Sequence, residues 1–218
     1  PHPNTPKSLK DFILSSEGGS GFKLELKKCF RVAQTLARAI GAFHSDGWLY
    51  KNIRAHTVKF FFHENRKRCD FENPYWTDFE FTRRVAPHAI DIEHEIYRHP
   101  NLQGLPNASF SKFHDIYSLG VVLLKVGLWQ TAKQSYDDII TYDLDDVVPM
   151  ANLMAQKLRN AYLEDAKKKL AHRMGSKYQQ AVFVCLDGDW YDMMASRDFA
   201  NEFQKRIVQK VEIKAFIS

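Results

Sequence analysis

The chain has 218 residues, of which 44% are hydrophobic and 26% charged, with a formal net charge of +5. That length supplies a real core for one domain, and that balance excludes a disordered chain and one built of membrane spans. Three cysteines, odd in number and far apart, argue against a disulfide framework and predict a reducing, cytoplasmic setting.

Residues 1–7 are polar and proline-rich and read as a linker rather than a signal peptide. A short helix over 8–14 begins on a serine cap, and 17–21, with its glycines, is a break. Leu26, Phe30, Ala33, Leu36, Ala37, Ile40 and Phe43 recur mostly at three- and four-residue steps, which predicts a long helix. It ends near His44 to Gly47, where glycine can take a positive backbone angle. Residues 58–62 and 75–79 are rich in β-formers and predict a hairpin. No period is sustained over 83–106, and Pro87, Pro100 and Pro106 mark irregular structure there.

Residues 115–129 are apolar nearly all round, the pattern of a buried central helix. The apolar run 119–129 is interrupted by Lys125 and is too short to span a bilayer. Residues 137–146 read as an acidic loop, and amphipathic helices fit 148–174, 177–186 and 197–211.

Four polar segments lie along this order. They are Tyr50-Lys51-Asn52-Ile53-Arg54-Ala55-His56-Thr57, Thr77-Asp78-Phe79-Glu80, Tyr97-Arg98-His99-Pro100-Asn101, and a run opening His114-Asp115-Ile116-Tyr117. In sequence and spacing they resemble the catalytic loop, the Asp-Phe-Gly segment, the end of the activation segment and the following buried helix of a protein kinase. The resemblance is strongest over residues 8–190. The wording Asp-Gly-Trp-Leu-Tyr-Lys-Asn-Ile-Arg and Tyr-Arg-His-Pro is similar to the degenerate kinase-like domains of fungal HeLo and prion-inhibition-associated proteins. It implies a mainly α-helical kinase-like C-lobe with a small β-hairpin over residues 8–218, its N-lobe lying ahead of residues 1–7 and absent from this chain.

The resemblance also assigns roles. Asn52 stands at the position of the catalytic base, and an amide cannot act as a carboxylate base. Arg54 stands where the catalytic-loop lysine belongs, so a cation is kept with altered geometry. Thr57 replaces the metal-binding asparagine, and a hydroxyl is a poorer magnesium ligand. Asp78 remains as the magnesium carboxylate, Glu80 replaces the adjacent glycine, and Asn101 replaces a glutamate that pairs with a buried arginine. Asp115, Phe79 and Tyr50 are frame residues; Asp115 is implied to hold the loop backbone. Glycines 18, 19 and 21 follow a helix and lack the strand–turn–strand setting of a nucleotide loop.

Other patterns carry less. His94 and His99 are one residue too far apart for the zinc-protease spacing. Cys29 and Cys185 fall on apolar stripes and read as core, whereas Cys69 follows Arg66, Lys67 and Arg68, cations that could lower its pKa, which leaves a reactive thiol as a minor reading. Thr82 is the early activation-segment hydroxyl, but Lys51 is a weaker partner for a phosphate there than the family's usual arginine. The expectation is a pseudokinase or kinase remnant acting as a signalling interaction module for a protein partner, with no cofactor in this fragment. The alternative is an active serine/threonine kinase using ATP and magnesium once joined to an N-lobe. A third reading, a basic module for nucleic acid or acidic lipid, rests on Arg66–Arg68 and Lys167, Lys168 and Lys169 alone.

Overall fold

A computed structural model of the chain describes residues 5–16, 23–62, 69–79, 91–103, 108–142, 151–187 and 198–212. Their elements run β1 (Lys7–Ser8), α1 (Leu9–Ser15), α2 (Leu26–Ser45), β2 (Val58–Phe60), β3 (Tyr75–Trp76) and α3 (Ile92–Glu95). The order continues with α4 (Lys112–Leu128), α5 (Ala132–Tyr142), α6 (Ala151–Asp165), α7 (Ala171–Asp187) and α8 (Phe199–Phe203). The architecture is mainly helical, with one small antiparallel sheet in the order β1-β2-β3. No helix among the described residues is long and apolar enough to cross a membrane.

The core is organised on α4, in which every residue from 113 to 128 is buried. A helix apolar on all faces must be covered on all faces, and α2, α7 and the π-helical turn Ala166–Leu170 pack against it. Two glycines let the helices approach. A Cβ added at Gly120 would lie 2.5 Å from the Cβ of Cys185, and one at Gly127 would lie 2.5 Å from Cδ1 of Leu170. The interruption at Lys125 does not bring that residue to the surface: it is 0% exposed. Its ammonium lies 2.6 Å from Ser135 Oγ, 3.9 Å from Asp165 Oδ2 and 4.8 Å from the Tyr162 ring centre.

The sheet differs from the expected hairpin in having a third strand. Lys7 pairs with Phe60 and Ser8 with Lys59, so the last residue of the supposed linker belongs to the sheet. Strands β2 and β3 are shorter than their β-rich runs, with Val58 opposite Trp76 and an isolated bridge from Phe62 to Cys69 further out. Ser8 also caps α1 as expected. Its hydroxyl accepts the Asp11 N–H at 3.1 Å while the Asp11 carboxylate accepts the Ser8 N–H at 2.9 Å, a reciprocal cap.

The acidic loop is a correction. Residues 137–142 are the second half of α5, and 143–146 lie outside the described residues. That helix starts from Thr131 and Gln134, which exchange N–H and side-chain bonds at 2.8 and 3.2 Å. Once started, it tolerates Asp137 because Lys133 pairs with it one turn earlier, at 2.6 Å. The irregular stretch also contains two short pieces of helix, α3 and the 3₁₀ turn Pro100–Leu102. In α7 the helical path breaks at Gly175 (φ 78°, ψ 162°), so the break between the two amphipathic runs is made by a glycine at positive φ.

Candidate functional site

The long helix α2 ends in a tight turn at Gly47 (φ 82°) and releases a polar loop that returns to the core before entering β2. Asp115, one turn into α4 and wholly buried, holds that loop. One carboxylate oxygen accepts the Tyr50 N–H at 2.7 Å and the other accepts the Lys51 N–H at 2.8 Å. The first also meets His44 Nε2, from the last turn of α2, at 3.1 Å. A single acid thus fixes the end of α2 and the start of the loop to the central helix. Lys51 takes a positive φ of 67° there, a costly conformation for a residue with a Cβ that persists only where the surroundings impose it.

The hairpin closes over the loop from the other side. The Tyr50 hydroxyl donates to the Thr77 carbonyl, and the Thr77 N–H donates to the Thr57 carbonyl at 2.9 Å. The Phe79 ring lies 4.8 Å from that of Tyr50 and stacks on Phe43 of α2 at 5.6 Å. Burial holds the Tyr50 phenol well above its ordinary pKa, with the Asp78 charge adding to the effect. Asp78, between Thr77 and Phe79, is the second non-glycine residue at positive φ in the site, at 60°.

Asn52 lies where hairpin and loop meet. Its side chain is 3% exposed and its Nδ2 donates to the main-chain carbonyl of Asp78 at 2.9 Å. Its Oδ1 is buried without a hydrogen-bond donor. Thr57 is equally enclosed: its hydroxyl meets the carbonyls of Asn52 and Arg54, both at 2.9 Å. Arg54 is half-buried and reaches the exposed Asp91 at 3.5 Å. The structure therefore brings Tyr50, Asn52, Thr57, Asp78, Phe79 and Asp115 into one constellation, with Arg54 on its flank.

The chemistry available there is narrow. Asn52 can donate or accept a hydrogen bond and cannot take a proton near neutral pH. Asp115 is committed to three partners in the core and cannot reach a reacting group. Asp78 is exposed, and among the described residues its carboxylate meets the Thr77 hydroxyl, at 3.4 Å. Magnesium is held by one or two carboxylates plus substrate phosphates and water. Asp78 fits that role, whereas the Thr57 hydroxyl is turned inward and engaged. Glu80 and Thr82 lie outside the described residues.

Asn101 anchors a second polar cluster beneath α4. Its Oδ1 lies 2.7 Å from His99 Nδ1 and 3.0 Å from His114 Nε2. The Ser111 N–H donates to His114 Nδ1 at 2.8 Å, so neutral His114 carries its proton on Nε2 and donates to Asn101. His99 is pushed down to about 4 by burial, against the raising effect of Asn101, and burial also lowers His114. An amide between two uncharged rings occupies the place where the resemblance puts an acid. Ser118 on the same helix donates to the Tyr97 carbonyl at 2.8 Å, tying α4 to this segment.

Among the described residues no cluster of three or more His, Cys, Asp or Glu side chains could hold a metal ion, and His94 and His99 form no such group. Cys29 and Cys185 are buried, as their stripes imply. Cys69 is half-buried, and burial, then the neighbouring Asp70, push its thiol up to about 12, which disfavours the thiolate. Arg66–Arg68 and glycines 18, 19 and 21 lie outside the described residues. Lys168 and Lys169 are each paired one turn back along the helix, to Glu164 at 2.8 Å and Asp165 at 2.6 Å.

No protein-family model matches the chain, and no curated protein matches it. Sequence reasoning missed the roles of His44, Thr77 and Phe43. The signal available for His44 was a polar residue on an apolar helical stripe, which needs a buried partner.

Proposed function

We propose that this chain is a protein-kinase-like C-lobe without phosphotransfer activity that serves as an interaction module for a protein partner. The observation that carries the reading is Asn52. The residue at the position of the base is an amide, almost fully buried, and its Nδ2 donates to the Asp78 carbonyl. A side chain held this way stabilises the junction of loop and hairpin, and an amide offers no carboxylate to deprotonate a hydroxyl. The Asp115 clamp and the Tyr50–Phe79 contact support the same reading, because they maintain the frame on which such a site is built.

An active kinase joined to an N-lobe is favoured by one observation, the exposed carboxylate of Asp78 beside the loop. One experiment separates the readings. The intact protein, whatever lies ahead of this segment included, is incubated with magnesium and γ-labelled ATP in the presence of a general acceptor protein, alongside Asn52→Asp and Asp78→Ala. Label appearing in the wild type and lost in Asp78→Ala would overturn the inactive reading. No label in the wild type, with the folded state verified by circular dichroism, is the expected result.

A further inference from the structure

A cavity of about 230 Å³ opens where the start of α2, the end of α4 and the first turn of α7 converge, remote in sequence from the Asp78 hairpin. Leu24, Leu26, Cys29, Val126, Trp129 and Met174 line it. Burial lifts the Cys29 thiol to about 11, so it contributes to the wall as a neutral, weakly polar group. The volume exceeds the ~150 Å³ of an apolar cavity that takes up benzene from water.

Two features separate this cavity from a packing defect. Its lining includes a residue in an expensive conformation: Trp129 ends α4 at φ 55°, left-handed, with its indole N–H donated to Ser16 Oγ at 2.7 Å. Bulky residues occupy that region only when the surroundings impose it, and such strain clusters at binding sites. The mouth is charged with one sign. Lys23 and Arg173 are the polar side chains of the lining, both exposed, and neither has an acidic partner among the described residues. Arg173 donates from Nη1 to the carbonyl of Leu128, which holds the guanidinium at the rim with its other N–H groups free among those residues. The nearest acid along the chain, Glu25, is taken by Lys28 at 3.0 Å. Leu26, 54% exposed, extends the apolar wall to the surface.

From this geometry we infer that the cavity is a binding site for a monoanionic amphiphile of the medium-chain fatty carboxylate class, with the alkyl chain among Leu24, Val126, Trp129 and Met174 and the carboxylate between Lys23 and Arg173. An apolar chain gains by leaving water for the apolar side chains of the wall, and the carboxylate stays at the mouth where two cations meet it. A neutral hydrocarbon would leave both cations unanswered, and a cationic amphiphile would be repelled. The ligand would bridge α2 to α4 and α7, three elements of the core, so binding would stabilise the fold.

The test uses the full chain labelled with ¹³C at methionine methyls and ¹⁵N at indoles, titrated with octanoate, octyltrimethylammonium and acetate. Octanoate is expected to move the Met174 methyl and Trp129 indole signals saturably at millimolar concentrations or below. Acetate at equal concentration is expected to leave them in place, and the octyl cation to bind at least about tenfold more weakly. Lys23→Gln with Arg173→Gln, both at exposed positions, is expected to weaken octanoate by about tenfold or more while the rest of the spectrum is kept. The inference is overturned if Met174 and Trp129 do not respond to octanoate. It is equally overturned if acetate shifts them as far, if the cation binds as tightly, or if the double variant retains full affinity.

Discussion

Replacing Asp115 with alanine removes the acceptor for two main-chain N–H groups, Tyr50 at 2.7 Å and Lys51 at 2.8 Å, and for His44 at 3.1 Å. Asp115, His44 and Tyr50 are buried and Lys51 is half-buried, so water substitutes poorly. Leaving a buried donor unsatisfied costs about 1–3 kcal/mol, and hydrogen bonds to a charged group are worth about 1.5–3 kcal/mol each. Two stranded N–H groups and a stranded imidazole therefore give a loss of roughly 3–5 kcal/mol, in the range for breaking one side of a buried charged network. A further ~0.3–1 kcal/mol follows from removing an acid from the first turn of α4. For a chain of this size the total corresponds to a fall in Tm of roughly 7–24 °C, at about 2–4 °C per kcal/mol. Urea denaturation followed by the fluorescence of Trp48 and Trp76 gives the stability, and amide exchange reports Tyr50 and Lys51 directly. Loss of protection at those two amides should accompany the drop. A change below about 1 kcal/mol with both amides still protected would refute the assignment of Asp115 as the clamp.

Lys125 is held down at about 8 by burial, against the attraction of Asp165. Its folded pKa lies below the ordinary lysine value of 10.5, so the unfolded state binds more protons between those two values and stability gains from this group as pH rises through that window. Lys125→Met, compared with wild type at pH 7.5 and 9.5 by urea titration, should show the wild type catching up at the higher pH; a constant difference would count against a strained ammonium. His99, held near 4, contributes stability that is full above the ordinary value of 6.5 and is lost as pH falls toward 4. His99→Gln should flatten the stability profile between pH 6.5 and 4, and an unchanged slope would show that other groups dominate acid unfolding. Gly120→Ala should destabilise by about 1–3 kcal/mol despite the better helix propensity of alanine, because the new methyl meets the Cys185 Cβ at 2.5 Å. A thermal melt equal to or above wild type would mean that α4 and α7 separate at little cost.

Much of the helical framework was legible because apolar spacing alone determines which face a helix buries. The stripe from Leu26 to Phe43 and the all-round apolarity after Asp115 correspond to α2 and α4 within a few residues. Where local capping rather than periodicity decides, the reading failed. Asp137 and Asp138 suggested a loop, while the start signal lay upstream at Thr131 and Gln134, a capping pair with the right spacing. The β1 strand was out of reach because two residues carry no alternation, and its pairing partner is some fifty positions away. In the candidate site the polar residues could be collected from their order, but not their directions. Nothing in the letters distinguishes an Asn52 that faces a cleft from one buried against a carbonyl. Lys125 makes the same point from the other side: a lone cation in an apolar run looks like a break, and the structure keeps it inside by giving it Ser135, Asp165 and an aromatic face.

The short ladder from Lys7 and Ser8 to Phe60 and Lys59 has a mechanical consequence. Strand β2 begins one residue after Thr57, whose carbonyl receives the Thr77 N–H and the Thr77 hydroxyl. A pull applied ahead of Lys7 is thus delivered in shear to the strand that leaves the Asn52 loop, across two residue pairs, before it can reach α2 or α4. The β1 strand is a handle on that loop, and tension arriving through Lys7 would be felt first at the junction of Asn52 and Asp78.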